Sequence, residues 1–194
     1  MGGVLLDWNP RHLYRKLIPD PEEMERFLAT VTTTQWHGLQ DQGGNPAEAT
    51  RRLTADHPSQ EALIEAFYSR FDEMLDHPFP QMADLVERLH ATGTPLYLLS
   101  NAPGFLDPWL RGPAHRRHPF LGHFRDYVVS GHVGCCKPDA TIYDLVCRRL
   151  LQAWHEDHLW SVTTVVTAVL TISTFTLSAI FTIKLFSFTF VTIP

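Results

Sequence analysis

The chain has 194 residues, with 16 Lys and Arg against 21 Asp and Glu and a net charge of −5 with histidines neutral. That length holds one sizeable core, or a core with a small inserted unit, and excludes two full domains. Apart from Arg116-Arg117 and Arg148-Arg149 the basic residues are scattered, which leaves no footprint for nucleic acid. Cys135, Cys136 and Cys147 are odd in number and lack zinc-site spacing, as expected of thiols in a reducing cytoplasm. No charged segment followed by an apolar run stands at the N-terminus, so no secretion signal is read.

The opening Met1-Gly2-Gly3-Val4-Leu5-Leu6-Asp7-Trp8-Asn9-Pro10 reads as a tight turn in which glycine lets main-chain amides approach an anion. A short helix is predicted over residues 10–17, capped by Asp7 or Asn9. A second starts at Asp20-Pro21-Glu22-Glu23, with a capping Asp, a proline at the first helical position and acids in the first turn, and runs to about residue 31. Residues 32–44 have few periodic apolar positions and end in Asp41-Gln42-Gly43-Gly44, so they are predicted to be loop. Asn45-Pro46 opens a helix to about residue 54. Ser59 is expected to cap another, with Ala62, Leu63, Ala66, Phe67, Phe71 and Met74 along one side. Residues 10–78 thus read as a small helical unit.

After His77-Pro78-Phe79-Pro80 the character changes. Met82, Leu85, Val86 and Leu89 mark an amphipathic helix stopped by Gly93, and residues 95–99 are a continuous apolar run ending in Ser100-Asn101. Such a run is what a buried parallel strand looks like. Residues 102–123, rich in Pro, Arg and His, are predicted to be loop. Residues 127–130 form a second short strand closed by Gly131, and Asp139 caps a helix carrying Ile142, Leu145, Val146 and Leu150 on one face. This order predicts an α/β fold with a parallel sheet.

The C-terminal part differs. Residues 159–183 carry no charge, longer than the ~18 apolar residues of a membrane-span candidate. A span would be a helix over residues 162–183, with Arg148-Arg149 holding the globular part in the cytoplasm. Much of residues 175–190, however, alternates apolar residues with Thr or Ser, a strand-like period of two.

Open α/β sheets bind ligands outside the carboxyl ends of their strands, where Ser100 and the Ser130-Gly131 turn are predicted to lie. A hydroxyl there donates to a phosphoryl oxygen, and Lys137, before Pro138, adds a positive charge. The order of Gly2-Gly3-Val4-Leu5, the Trp36–Gly43 stretch, the strand ending at Ser100 and Ser-Gly-x-Val-Gly-x-x-Lys-Pro over residues 130–138 resembles the haloacid dehalogenase (HAD) superfamily of hydrolases. The likeness covers residues 1 to about 150. It implies a HAD-like three-layer core with a parallel sheet from residues 1–9 and 79–150, a helical cap over residues 10–78, and a tail over residues 151–194.

The resemblance further implies hydrolysis of a small phosphorylated or halogenated substrate through a covalent intermediate on a first-motif Asp, with Mg²⁺ bridging that Asp and a fourth, acidic motif. Ser100 and Lys137 take the catalytic roles, and Gly2, Gly3, Asn101 and Trp8 the substrate side, Asn101 orienting it. Gly2 stands where many members carry a second Asp, the general acid. Met1 aligns with the variable residue after the nucleophile, which falls one position before it. The fourth motif is missing: no apolar strand leads into Glu156-Asp157, and His155 and His158 lack a third ligand. The expectations are therefore an inherited hydrolase function with weak or no turnover, a ligand-binding or membrane-tethered module, or a truncated or mis-joined gene product. Without the family's preceding strand, residues 96–99 are expected to be short of backbone partners.

Overall fold

The computed structural model describes residues 1–157, 166–171, 179–184 and 187–188. Residues 1–6 fold back on themselves: Gly3, with φ of 76°, lets its amide donate to the Leu6 carbonyl at 2.8 Å and the Leu5 amide to the Met1 carbonyl at 2.9 Å. The chain leaves this turn extended as β1 (Leu6–Trp8) and enters α1 (Pro10–Tyr14). Asn9 is its cap, accepting from the Arg11 amide at 3.0 Å, and the helix is shorter than the sequence predicts.

Asp20 caps α2 (Pro21–Thr30), accepting from the Glu22 amide at 2.9 Å. Because this bond is solvent-exposed, Asp20→Ala is expected to cost about 1 kcal/mol in urea unfolding. The predicted loop over residues 32–44 is instead largely helix: α3 (Thr34–Asp41) is capped by the Thr33 hydroxyl, which accepts from the Trp36 amide at 3.0 Å. Its buried face is made by His37 and Gln40, so aliphatic periodicity is absent. Asn45 caps α4 (Pro46–Asp56) as expected. Ser59 does not cap a helix. It lies in a 3-10 turn (Pro58–Gln60), and α5 (Glu61–Ser69) begins without a side-chain cap, burying Ile64, Ala66 and Phe67.

Phe71 and Met74 close a 3-10 turn that leads into β2 (Leu75–Pro78), a strand that pairs antiparallel with β1. α6 (Pro80–Ala91) stops before Gly93, whose φ is 75°. β3 (Leu96–Ser100) is buried throughout. The predicted loop that follows holds α7 (Leu106–Leu110) and α8 (Pro113–Arg117), each too short to show a period but anchored by buried Leu106, Leu110 and Ala114. β4 (Phe124–Val129) leads into the single turn α9 (Ser130–Val133), ended by left-handed Gly134. Asp139 then caps α10 (Ala140–Asp157), accepting from the Thr141 amide at 2.8 Å.

Three strands come from the C-terminal part: β5 (Val166–Thr171), β6 (Ala179–Lys184) and β7 (Ser187–Phe188). The larger sheet has the order β4-β3-β5-β6-β7 and is mixed rather than all parallel, because β3 pairs parallel with β4 and β5 while β6 and β7 add antiparallel. The expected shortage of partners for residues 96–99 is therefore not found: β4 and β5 flank β3 on both edges. Of the stretch that a spanning helix would occupy, residues 166–171 and 179–183 belong to strands and the rest lies outside the described residues. No helix among the described residues is long and apolar enough to cross a membrane.

Strand alternation builds two hydrophobic clusters. Leu96 and Leu98 join a cluster that is continuous with Leu13, Tyr14, Phe27 and Phe67 of the helical segment, while Tyr97 and Leu99 turn to the other face and pack with Ile142, Val146 and Leu150 of α10. Residues 10–74 thus share one core with the sheet. That common core fixes where α3 ends relative to the ends of β3 and β4.

Candidate functional site

Segments distant in sequence are stitched together where β3 and β4 end. The Asn101 amide donates through Nδ2 to the Lys137 carbonyl at 2.9 Å and accepts at Oδ1 from the Lys137 amide at 2.9 Å. The Ser130 hydroxyl accepts from the Ala102 amide at 3.0 Å and donates to the Asp41 carbonyl at 2.6 Å, where the Cys136 thiol also donates at 3.0 Å. The Gly131 amide donates to the Ala102 carbonyl at 3.0 Å. Gly131 has no room for a side chain: a Cβ there would stand 2.5 Å from the Gly104 nitrogen, 2.7 Å from the Gln40 carbonyl oxygen and 2.8 Å from that of Ala102.

Inside this frame the Ser100 hydroxyl, 1% exposed, accepts from the Met1 amino group at 3.0 Å. Lys137 is 7% exposed, and its Nζ donates to the Leu99 carbonyl at 3.5 Å. Burial pushes the Lys137 ammonium down to about 8. Burial, with the Lys137 charge added, brings the Met1 amine to about 4.

Asp41, the last residue of α3, is also drawn into the site. Burial pushes its carboxyl up to about 7, with the Met1 amino group pulling weakly the other way. One helical turn earlier, His37 places Nε2 3.8 Å from Asp41 Oδ1, too far for a hydrogen bond, and shares Nδ1 with the Tyr68 hydroxyl at 3.1 Å. Burial pushes this imidazole down to about 4. Trp8 stacks on His37 at 5.2 Å between ring centroids and on Phe71 at 6.4 Å. Trp8 Nε1 and Asp41 Oδ1 are buried without hydrogen-bond partners. Burial thus disfavours the charged form of each of these groups, the carboxyl of Asp41 being pushed up and Lys137, His37 and the Met1 amine down.

Of the residues singled out from the sequence, Ser100 and Lys137 come together. Asn101 has a different task from the one expected: its side chain is consumed in clamping the backbone of Lys137. Gly2 is required by Trp8, since a Cβ at Gly2 would stand 2.7 Å from Trp8 Cβ, so an acid at that position clashes with the indole. Gly3 supplies the left-handed turn. Ser130 lies at the end of β4, as the sequence predicts, whereas Asp41 and His37 are site residues that the sequence reading does not single out. The signal for these two is their i, i+4 spacing, once Thr33 is recognised as a helix cap.

The Mg²⁺ site implied by the resemblance does not fit these residues. Among the described residues, no group of three His, Cys, Asp or Glu ligand atoms converges at Ser100 and Lys137. Glu156 and Asp157 lie at the end of α10, and His158 is outside the described residues. No family model, curated protein or solved structure matches the chain.

Proposed function

We propose that the Ser100–Lys137 site binds the anionic end of a small phosphorylated compound in the manner of a HAD-type hydrolase. The observation that carries this reading is the burial of both Ser100 and Lys137 where two parallel strands end, with the Lys137 backbone clamped by Asn101 and its ammonium bonded to the carbonyl of Leu99, the residue before Ser100. A buried ammonium favours an anion that restores its lost solvation, and a hydroxyl at a strand end orients one oxygen of that anion. Asp41, protonated up to about pH 7, is the group suited to donate a hydrogen bond to the anion or a proton to a leaving oxygen. The HAD-like layering of the core and the helical segment as its cap belong to the same proposal.

A covalent route needs an ionised carboxylate beside Ser100, and burial disfavours the ionised form of Asp41. In the family pattern the nucleophile is the residue before Met1, and the Met1 amino group itself donates to the Ser100 hydroxyl at 3.0 Å. Binding and turnover are therefore measured separately, by calorimetric titration with inorganic phosphate and by p-nitrophenyl phosphate hydrolysis. Phosphate is expected to bind once per chain. Lys137→Met is expected to weaken it by ~10-fold or more, the worth of a charge-assisted hydrogen bond. Absence of saturable binding, or equal affinity in Lys137→Met, overturns the reading. Tighter binding of chloroacetate than of phosphate would move the substrate class to haloacids.

A further inference from the structure

The ribbon formed by β1 and β2 carries a second cluster of reactive side chains that the Ser100–Lys137 site does not use. Alternation along β1 sends Trp8 inward onto His37 and leaves Asp7 on the opposite face. There Asp7 Oδ2 lies 2.9 Å from His12 Nε2 of α1, and Asp76 of β2 completes a set whose ligand atoms all lie within 4.8 Å of one another. We propose that Asp7, His12 and Asp76 form a binding site for a first-row divalent transition ion, zinc above all, that ties β1, α1 and β2 together.

One imidazole nitrogen with two carboxylate oxygens is a borderline donor set, which suits Zn²⁺ and disfavours Mg²⁺ and Ca²⁺, both of which prefer all-oxygen shells. Three protein ligands leave one tetrahedral position for water, and the cluster is open to it, Asp76 being 57% exposed. Tetrahedral zinc with bonds of about 2.0–2.2 Å needs its ligand atoms roughly 3.3–3.5 Å apart, within reach of side-chain rotation in so exposed a residue. His77 Nδ1, 3.0 Å from Asp76 Oδ2, is placed to orient that carboxylate in the way outer-shell partners do. Arg117, whose charge reaches Asp76, has its guanidinium engaged by the Asp72 and Leu75 carbonyls at 3.0 and 2.8 Å. The chain enters and leaves residues 10–74 through this ribbon, so an ion there locks both crossings at once.

Titration of the full chain with Zn²⁺ against a chromophoric chelator, and with Co²⁺ by visible absorption, tests the site. One ion per chain is expected, with a tetrahedral cobalt spectrum lacking a thiolate band. Zinc should slow hydrogen exchange of the Asn9 amide, which bonds the Met74 carbonyl across the ribbon at 2.9 Å. Affinity should fall at least tenfold in His12→Ala and in Asp76→Asn. The second residue is so exposed that its variant carries the test should the first fail to fold. His123→Ala, which removes the imidazole stacked on His90 at 3.9 Å, should bind zinc as the parent chain does. No stoichiometric binding, a thiolate-ligated cobalt spectrum, or affinities in His12→Ala and Asp76→Asn within twofold of the parent overturns the proposal. Phosphate binding at Lys137 has no bearing on either outcome.

Discussion

Gly131→Ala is expected to lower stability by about 3 kcal/mol and to weaken phosphate binding more than tenfold in the molecules that remain folded. The added methyl would stand 2.5–2.8 Å from backbone atoms of Gly104, Gln40 and Ala102. Overpacking costs ~1–3 kcal/mol when side chains can rotate away, and here every obstructing atom is main chain, so relief requires moving whole segments. Those segments are the end of α3, the loop after β3 and the start of α9, the same three whose mutual bonds through Ser130 and Asn101 bring Asp41, Ser100 and Lys137 together. Loss of stability and loss of the site should therefore appear together. Urea unfolding of the variant beside a phosphate titration reads both. A change below about 0.5 kcal/mol would mean that the segments do not meet at Gly131.

The same convergence explains what the sequence conveys and what it withholds. Asp20, Asn45, Asp139 and Gly93 act on their own helix ends, within a few residues, so capping chemistry locates those boundaries directly. The apolar run at residues 96–99 likewise carries its own signature of burial on both faces. By contrast β2 is four residues with His and Pro in it, and becomes a strand only because β1 offers an edge. The Thr-rich residues of β5 reach β3 from far along the chain, and nothing local announces that pairing.

The site divides in the same way. Ser100 and Lys137 stand out because strand ends and a Lys-Pro before a helix are local patterns. The part played by Asn101 is visible only when the backbone 36 residues away is in place. Gly2 and Trp8 are a coupled pair, one residue small because the other is large, and neither alone shows it. Asp41 was concealed by α3, a helix that buries imidazole and amide in place of aliphatic groups.

Asp41→Asn is expected to raise stability by about 2–4 kcal/mol at pH 8, with the gain shrinking to near zero by pH 4. The carboxyl titrates near 3.8 in the unfolded chain and near 7 when buried, so between those values the folded state holds a proton that the unfolded state has released. Stability contributed by this proton is full below pH 3.8 and falls as pH rises, and the loss is complete above pH 7. The shift of roughly three units sets an upper bound of about 4 kcal/mol. His37 runs the opposite way. Its folded value near 4 lies below the ordinary 6.5, so between those values the unfolded state binds the extra proton and stability rises with pH. The two slopes nearly cancel in the parent chain, which hides them in its own pH profile. The difference between parent and Asp41→Asn removes the His37 contribution common to both and isolates the carboxyl. Thermal unfolding of the pair at pH 4, 6 and 8 should show curves that diverge as pH rises. Curves that stay parallel would place the Asp41 carboxyl in water. The same proton should govern ligand binding: the affinity of the parent for sulfate, whose charge is constant over this range, should fall as pH passes 7 and Asp41 ionises, then again near 8 as Lys137 loses its charge. In Asp41→Asn only the second fall should remain.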